Sequence, residues 1–288
     1  DYFASAVPHN GSLRQTQDLF TKKMPDYYNA SAPKIKTRSV FTWGHPINDY
    51  REYVENMARL RLNQLTIWND YAPVNAKDIV DYAHSFGIKI IWGYAWGWST
   101  NCAKISLDTL PELSRSVLDK YEREYADIGG DGIYFQSFTE LHCDYIGDTL
   151  IAEAVTEFVN RTADMFLEKY PDLYIQFGLH AWSVEKHLDY IKNVDKRVEI
   201  MWEDCGAFPY DYEPLINDRA EFDKALKFAD DILSLRKCGS AGMLYKGQMI
   251  LDWSRFEHQS GPFVLGCSSE TIKQHDLAMV EPNWRYYQ

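Results

Sequence analysis

A chain of 288 residues with a formal charge of −12 is long enough for one barrel-sized domain or two smaller ones. The charge argues against a nucleic-acid backbone as partner, which calls for clustered Lys and Arg, but leaves room for an anionic small molecule met by one or two local cations. Aromatic residues make up 15% of the chain, with nine Trp and twenty Tyr, so where they fall is informative.

Cys102, Cys143, Cys205, Cys238 and Cys267 are odd in number and contain no CxxC pair, which argues against a disulfide framework and a structural zinc. No apolar run approaches a membrane span and no signal peptide is visible, so no membrane partner is expected. The first residue is Asp1 rather than Met, which suggests processing or trimming and leaves the compartment open; so does the oligomeric state. Glycosylation sequons stand at Asn10, Asn29 and Asn160.

Residues 1–38 are polar, with Pro8, Gly11 and Pro33, and read as a lead-in segment. From there strands and helices alternate, the signature of parallel α/β architecture. The first strand is predicted at Ser39–Gly44, with Asp49 capping a helix that carries Tyr53, Met57, Leu60 and Leu62. The second strand, Leu65–Asp70, precedes a helix through Ile79, Val80, Tyr82 and Ala83 that Gly87 ends. Ile88–Tyr94 is the third strand, followed by a long loop through Trp98 and Cys102 and a helix over Leu110–Ile128. Gly129 and Gly130 lead into the fourth, Gly132–Gln136, and an amphipathic helix over Thr149–Lys169 ends before Pro171. The fifth strand is Leu173–Phe177, followed by a helix over Val184–Asn193, and the sixth is Val198–Trp202. A helix over Arg219–Leu235 precedes the seventh strand, Ala241–Tyr245, and Phe263–Gly266 is the eighth. Eight strands in this order predict a single-domain (β/α)8 TIM barrel over residues 39–288. A doubly wound sheet would need a nucleotide fingerprint, and none is present.

In such a barrel the C-terminal strand ends face one mouth, and catalytic residues come from several of them. Here those ends repeatedly carry Trp, Asp and Glu, which points to a carbohydrate substrate. Glu140, in DGIYFQSFTE just beyond the fourth strand, is the candidate acid, with neighbouring aromatic surface available to desolvate it. Otherwise it is a solvent-facing glutamate that caps the next segment. Glycoside cleavage also needs a second carboxylate as base or nucleophile. Glu203 and Asp204, at the end of the sixth strand, are candidates, with Glu203 preferred and Asp204 read as a turn cap.

Asn69, Asp70, Gln136 and His180 sit where they could bind sugar hydroxyls, although a lone His is more often structural; Lys246 could meet a substrate carboxylate. Indoles cover the C–H faces of sugars, a role predicted for Trp96, Trp98, Trp182 and Trp202, whereas Trp92 reads as core. There is no GxSxG elbow, HExxH motif or phosphate-binding Gly-rich loop, and neither metal nor cofactor is expected.

The segments NMARLRLNQLTIWNDYAP, FGIKIIWGYAWG, DGIYFQSFTE, LYIQFGLHAW and VEIMWEDCG, taken in order, resemble strands two to six of the catalytic barrel of glycoside hydrolase family 67, the α-glucuronidases. The resemblance runs from about Ser39 to Tyr210. It implies that Glu140 is the general acid, that the reaction inverts the anomeric carbon, and that water is activated by carboxylates from later strands. Asp252 in LDWSRFEH matches one of these, and Glu270 is a further possibility. The expectation is therefore a glycoside hydrolase with Glu140 as acid and Glu203, Asp204 or Asp252 as its partner. A retaining glycosidase, including one acting on N-acetylhexosamine, and a non-catalytic carbohydrate-binding barrel are the alternatives.

Overall fold

In a computed structural model, the described residues are 32–43, 47, 49–68, 71–97, 105–180, 183–203, 219–236 and 240–244. They gather into two compact units. One holds the described residues up to Trp92 together with Asp127–Asp131, and the other those of Gly93–Ala126 and Gly132–Glu257.

The first unit contains β1 (Ser39–Trp43), α1 (Tyr50–Arg59), β2 (Gln64–Trp68), α2 (Ala76–Ser85) and the first four residues of β3 (Lys89–Ala95). β1 and β2 pair in parallel, Ser39 opposite Gln64 and Trp43 opposite Trp68. Asp49 caps α1 as expected: its Oδ1 accepts from the backbone N–H of Arg51 at 3.0 Å and of Glu52 at 3.1 Å. Tyr50, Val54 and Met57 then bury one stripe of the helix.

α2 closes in a Schellman motif. Gly87, at φ +68°, donates to the His84 carbonyl and Ile88 to that of Ala83. α1 closes the same way, before reaching Leu62, but the left-handed residue is Arg61, at φ +58°. Trp92 is buried, as the sequence predicts, and its Nε1 donates to the Gly129 carbonyl at 2.7 Å.

The second unit contains α3 (Leu110–Glu124), β4 (Gly132–Gln136), α4 (Ile151–Lys169), β5 (Tyr174–Leu179), α5 (Leu188–Ile191), β6 (Val198–Glu203), α6 (Arg219–Ser234) and β7 (Ala241–Leu244). β4, β5, β6 and β7 are adjacent in that order and pair in parallel. The start predicted for α4 instead forms a short antiparallel ribbon, Thr149–Leu150 with Tyr145–Ile146. The helix predicted over Val184–Asn193 shrinks to one turn. Asn193 and its neighbours are tied down by the Asn160 side chain, which donates to Asn193 O at 3.0 Å and accepts from Asp195 N at 2.6 Å.

Strand alternation gives this sheet two unlike faces. Ile133, Phe135, Ile175, Phe177, Leu179, Val198, Ile200 and Trp202 form the apolar face, and all are buried. Phe135 stacks on Phe177 with ring centroids 5.2 Å apart, and Trp202 meets Phe228 of α6 edge-on at 5.8 Å. The opposite face carries Tyr134 and Gln136 from β4, Tyr174, Gln176 and Gly178 from β5, and Glu199 and Glu203 from β6. Its registered rows include Tyr134–Gln176–Glu199.

Strands alternating with helices, and paired in parallel, are the α/β architecture the sequence predicts; seven such strands lie among the described residues. The eighth, expected at Phe263–Gly266, lies outside them.

Candidate active site

At the C-terminal ends of β4, β5 and β6 the polar face closes on one buried carboxylate. Glu203, the last residue of β6, has a side chain that is 0% exposed. Its Oε1 accepts from the Tyr134 hydroxyl and from Gln136 Nε2, and its Oε2 lies 2.9 Å from His180 Nε2. Gln136 Nε2 and His180 Nε2 are 3.1 Å apart, side by side, each directed at one oxygen of the carboxylate. A carboxylate taken out of water survives only when donors replace its hydration, and three converge here.

Gly178 makes the arrangement possible. A Cβ at this position would clash with the Tyr134 hydroxyl and Glu203 Oε1, and would sit 2.7 Å from Tyr134 Cζ. The absence of a side chain on β5 is the space that the β4 hydroxyl and the β6 carboxylate share.

Glu140 approaches from above. β4 ends at Gln136, and a 3-10 turn, Phe138–Glu140, follows. Two bonds fix that turn to the end of β5: His180 N donates to Thr139 Oγ1 at 3.4 Å and Ser183 Oγ to the Thr139 carbonyl at 2.6 Å. Phe138 is buried against Phe158, centroids 5.9 Å apart. The turn so anchored sets Glu140 Oε1 3.7 Å from His180 Nδ1, and the Glu140 side chain is 44% exposed. It is open to solvent rather than enclosed by aromatic rings.

His180 is 2% exposed and is sandwiched between the two carboxylates, one nitrogen toward each. The set therefore consists of one accessible acid, one enclosed imidazole and one enclosed carboxylate. Chemically it can present a titratable group to a ligand while holding a balancing charge behind it.

Of the residues predicted from sequence, Glu140, Gln136, His180 and Glu203 are thus brought together. Trp96 and Trp202 are not. Trp96 is fully buried, stacked on Phe135 at 3.5 Å and on Phe166 at 5.4 Å. Trp202 faces α6 from the apolar side of β6. Neither ring offers a face to a sugar. Asn69, Asp70, Trp98, Trp182, Asp204, Lys246 and Asp252 lie outside the described residues. Tyr134, Thr139 and Gly178 complete the site and were not singled out in the sequence. Tyr134 shares strand parity with Gln136, and a glycine inside a strand marks a close approach, so both left a readable signal.

Among the described residues, no group of three or more His, Cys, Asp or Glu is placed to hold a metal ion, and no helix is long and apolar enough to cross a membrane. No protein-family model matches the chain, and no curated protein matches it by sequence.

Solved structures similar to it include a family GH13_31 enzyme, with a TM-score of 0.48 and 11% identity, where the match covers 73% of this chain and 66% of that one. An O-GlcNAc hydrolase mutant of Thermobaculum terrenum follows, with a TM-score of 0.44, 17% identity and coverage of 67% and 46%. D-psicose 3-epimerase of Clostridium cellulolyticum H10, solved with D-tagatose, gives 0.43, 16%, and coverage of 73% and 84%. The chain spans less than two thirds of the first two.

Proposed function

We propose that this protein is a glycoside hydrolase in which Glu140 protonates the departing oxygen. One observation supports the reading above the others. At the end of a parallel strand, a half-exposed carboxylate is held on an anchored turn and backed by a buried His–Glu pair from the next two strands. The chemistry asks for a proton donor that substrate can reach and that the protein keeps in one place. Among the described residues, the neighbouring polar groups Gln136, Thr139, His180 and Glu203 are buried.

The reaction also needs a second carboxylate on the substrate. Asp204, the next residue along from Glu203, and Asp252 are the candidates with an open role, since Glu203 is already enclosed by its own donors. The proposed frame is a (β/α)8 barrel over residues 39–288, with Phe263–Gly266 as its eighth strand and residues 1–38 leading in. Asn69, Asp70, Trp98, Trp182 and Lys246 are the proposed contacts to carbohydrate, with Lys246 suited to a uronic acid. Inversion at an α-glucuronide is the finer reading, carried by the sequence resemblance.

A panel of aryl glycosides and glucuronoxylan fragments, with the first-formed anomer followed by NMR, tests both levels. Cleavage by the wild type and a fall of about 10²–10⁴-fold in Glu140→Gln is expected. Equal activity in the two proteins removes Glu140 from the chemistry. An inverted first product supports the glucuronidase-like form, and a retained one the N-acetylhexosaminidase-like form. Binding of a glycan that neither protein cleaves supports a carbohydrate-binding barrel instead.

A further inference from the structure

A carboxylic acid that gives up its proton becomes an anion, and what faces that anion decides how readily it forms. Glu140 faces His180 Nδ1 at 3.7 Å, and the other nitrogen of the same ring lies 2.9 Å from the Glu203 carboxylate. The ring is buried, and burial alone disfavours an imidazolium. Glu203 works against that. It is an enclosed anion on Nε2, and Tyr134 and Gln136 hold it in place through its other oxygen. Thr139, whose Oγ1 and carbonyl are bonded to His180 N and Ser183 Oγ, keeps the turn carrying Glu140 in register with the ring.

The titratable groups facing the imidazole among the described residues are therefore Glu140 from the turn after β4 and Glu203 from β6, with the Tyr134 hydroxyl of β4 behind Glu203. They sit on three separate segments, so the alignment is a product of the fold and not of local sequence.

We propose that Glu140, His180 and Glu203 are one electrically coupled unit, in which His180 and Glu203 are positioning residues for Glu140 and do not touch substrate. The inference deepens the glycosidase reading and, for its catalytic meaning, rests on it. As the C–O bond breaks, its electron pair goes to the leaving oxygen, Glu140 gives that oxygen its proton, and water, losing a proton to a carboxylate, supplies the oxygen that ends on the anomeric carbon. The Glu140 carboxylate left behind faces the His180 ring, which the buried Glu203 holds in place through its other nitrogen. Glu203 thereby leaves the list of bases and nucleophiles.

The test separates the coupling from the activity. In the full chain, the imidazole nitrogens of His180 are followed by 15N NMR across pH in wild type, Glu140→Gln and Glu203→Gln. Removing a carboxylate from either nitrogen should lower the pH at which the ring loses its proton, by about one unit for Glu140→Gln and by more for Glu203→Gln. Glu140 is half-exposed and its amide is isosteric, so this arm stands even if Glu203→Gln fails to fold. An unchanged His180 midpoint in Glu140→Gln overturns the coupling.

With a cleaved substrate in hand, Glu203→Gln should lower kcat about 10-fold to 100-fold with KM little changed, and should shift the alkaline limb of the pH profile, on which the proton of Glu140 is lost. Added azide should not restore the rate. Restoration with formation of a glycosyl azide places Glu203 on the anomeric carbon and overturns the positioning role. If the wild type cleaves no glycan, the glycosidase reading fails while the NMR result still decides the coupling.

Discussion

Gly178 shows how much of the candidate site depends on a missing atom. The Tyr134 hydroxyl and the Glu203 carboxylate occupy the volume a Cβ would take, and β4, β5 and β6 are locked in register around them, so neither group can retreat far. Gly178→Ala is expected to cost about 1–3 kcal/mol in urea unfolding, the range for overpacking a filled interior. On the proposed glycosidase reading it should also lower turnover well beyond the loss of folded protein, because the carboxylate behind His180 is displaced. Wild-type stability in Gly178→Ala would show that Tyr134 and Glu203 have another way to pack.

Tryptophans at the same scale show where sequence reading stops. Trp96 shares strand parity with Trp92 and Tyr94, and its backbone N–H donates to the Gln136 carbonyl at 2.8 Å, extending the ladder by one residue beyond β3. Its ring is therefore committed to the helix-facing side, like that of Trp92. Trp202 and Glu203 are consecutive on one strand, so they cannot both face the site. Parity with the core residue Trp92 excludes Trp96, and opposite parity to Glu203 excludes Trp202.

Helix ends are where local sequence and local structure agree best, and where one residue is at odds with its conformation. Asp49 caps α1 as its position promises, and Gly87 takes the left-handed turn that closes α2. The same turn after α1 is made by Arg61 at φ +58°, a conformation in which an L side chain crowds the following carbonyl. The pay-off is tertiary: the Arg61 carbonyl accepts from Arg38 Nε at 2.6 Å, and Arg38 N donates to Asn63 Oδ1 at 2.8 Å, tying the segment before β1 to the start of β2.

Because the first of these bonds uses only the Arg61 carbonyl and the second does not involve Arg61, Arg61→Gly retains both. It should stabilise the protein by up to about 1 kcal/mol, less the added freedom of the unfolded chain. Arg61→Ala should give no such gain. Equal urea midpoints for the Gly and Ala variants would show that the turn carries no strain. α5 is the opposite case: its apolar spacing reads as a full helix, but the side chain of Asn160 pins Asn193 and Asp195 from α4, a contact made by residues more than thirty positions apart. No local pattern reports it. That engagement also removes Asn160 from the sequons whose amide is available for modification in the folded chain.

Across the second unit, the inward-facing rows of β4, β5 and β6 place buried acids at two levels, and the two have different work. Near the strand starts, Glu199 accepts from the Tyr174 hydroxyl and from Gln176 Nε2 at 2.5 Å. Burial and this carboxylate together push the Tyr174 hydroxyl well above the usual phenol range, which favours its role as donor to Glu199. At the strand ends Glu203 has the same kind of neighbours, a tyrosine and a glutamine, plus His180 and through it the exposed Glu140.

In parallel α/β barrels, chemistry gathers at the C-terminal ends of the strands and stability at the N-terminal ends. On the proposed barrel reading, this separates two such similar clusters. Glu199→Ala strands two donors in the interior and should cost about 1–3 kcal/mol for each that finds no new acceptor, whereas Glu199→Gln keeps an acceptor and should cost less. In both, turnover per folded molecule should match the wild type. Glu203→Gln should reverse the pattern, with a modest change in the urea midpoint and a large loss of kcat. The comparison is made by scaling each rate to the folded fraction at the assay temperature. Equal kinetic losses at Glu199 and Glu203 would mean that the inward face acts as one network, and that the His180 link to Glu140 is not what distinguishes its upper level.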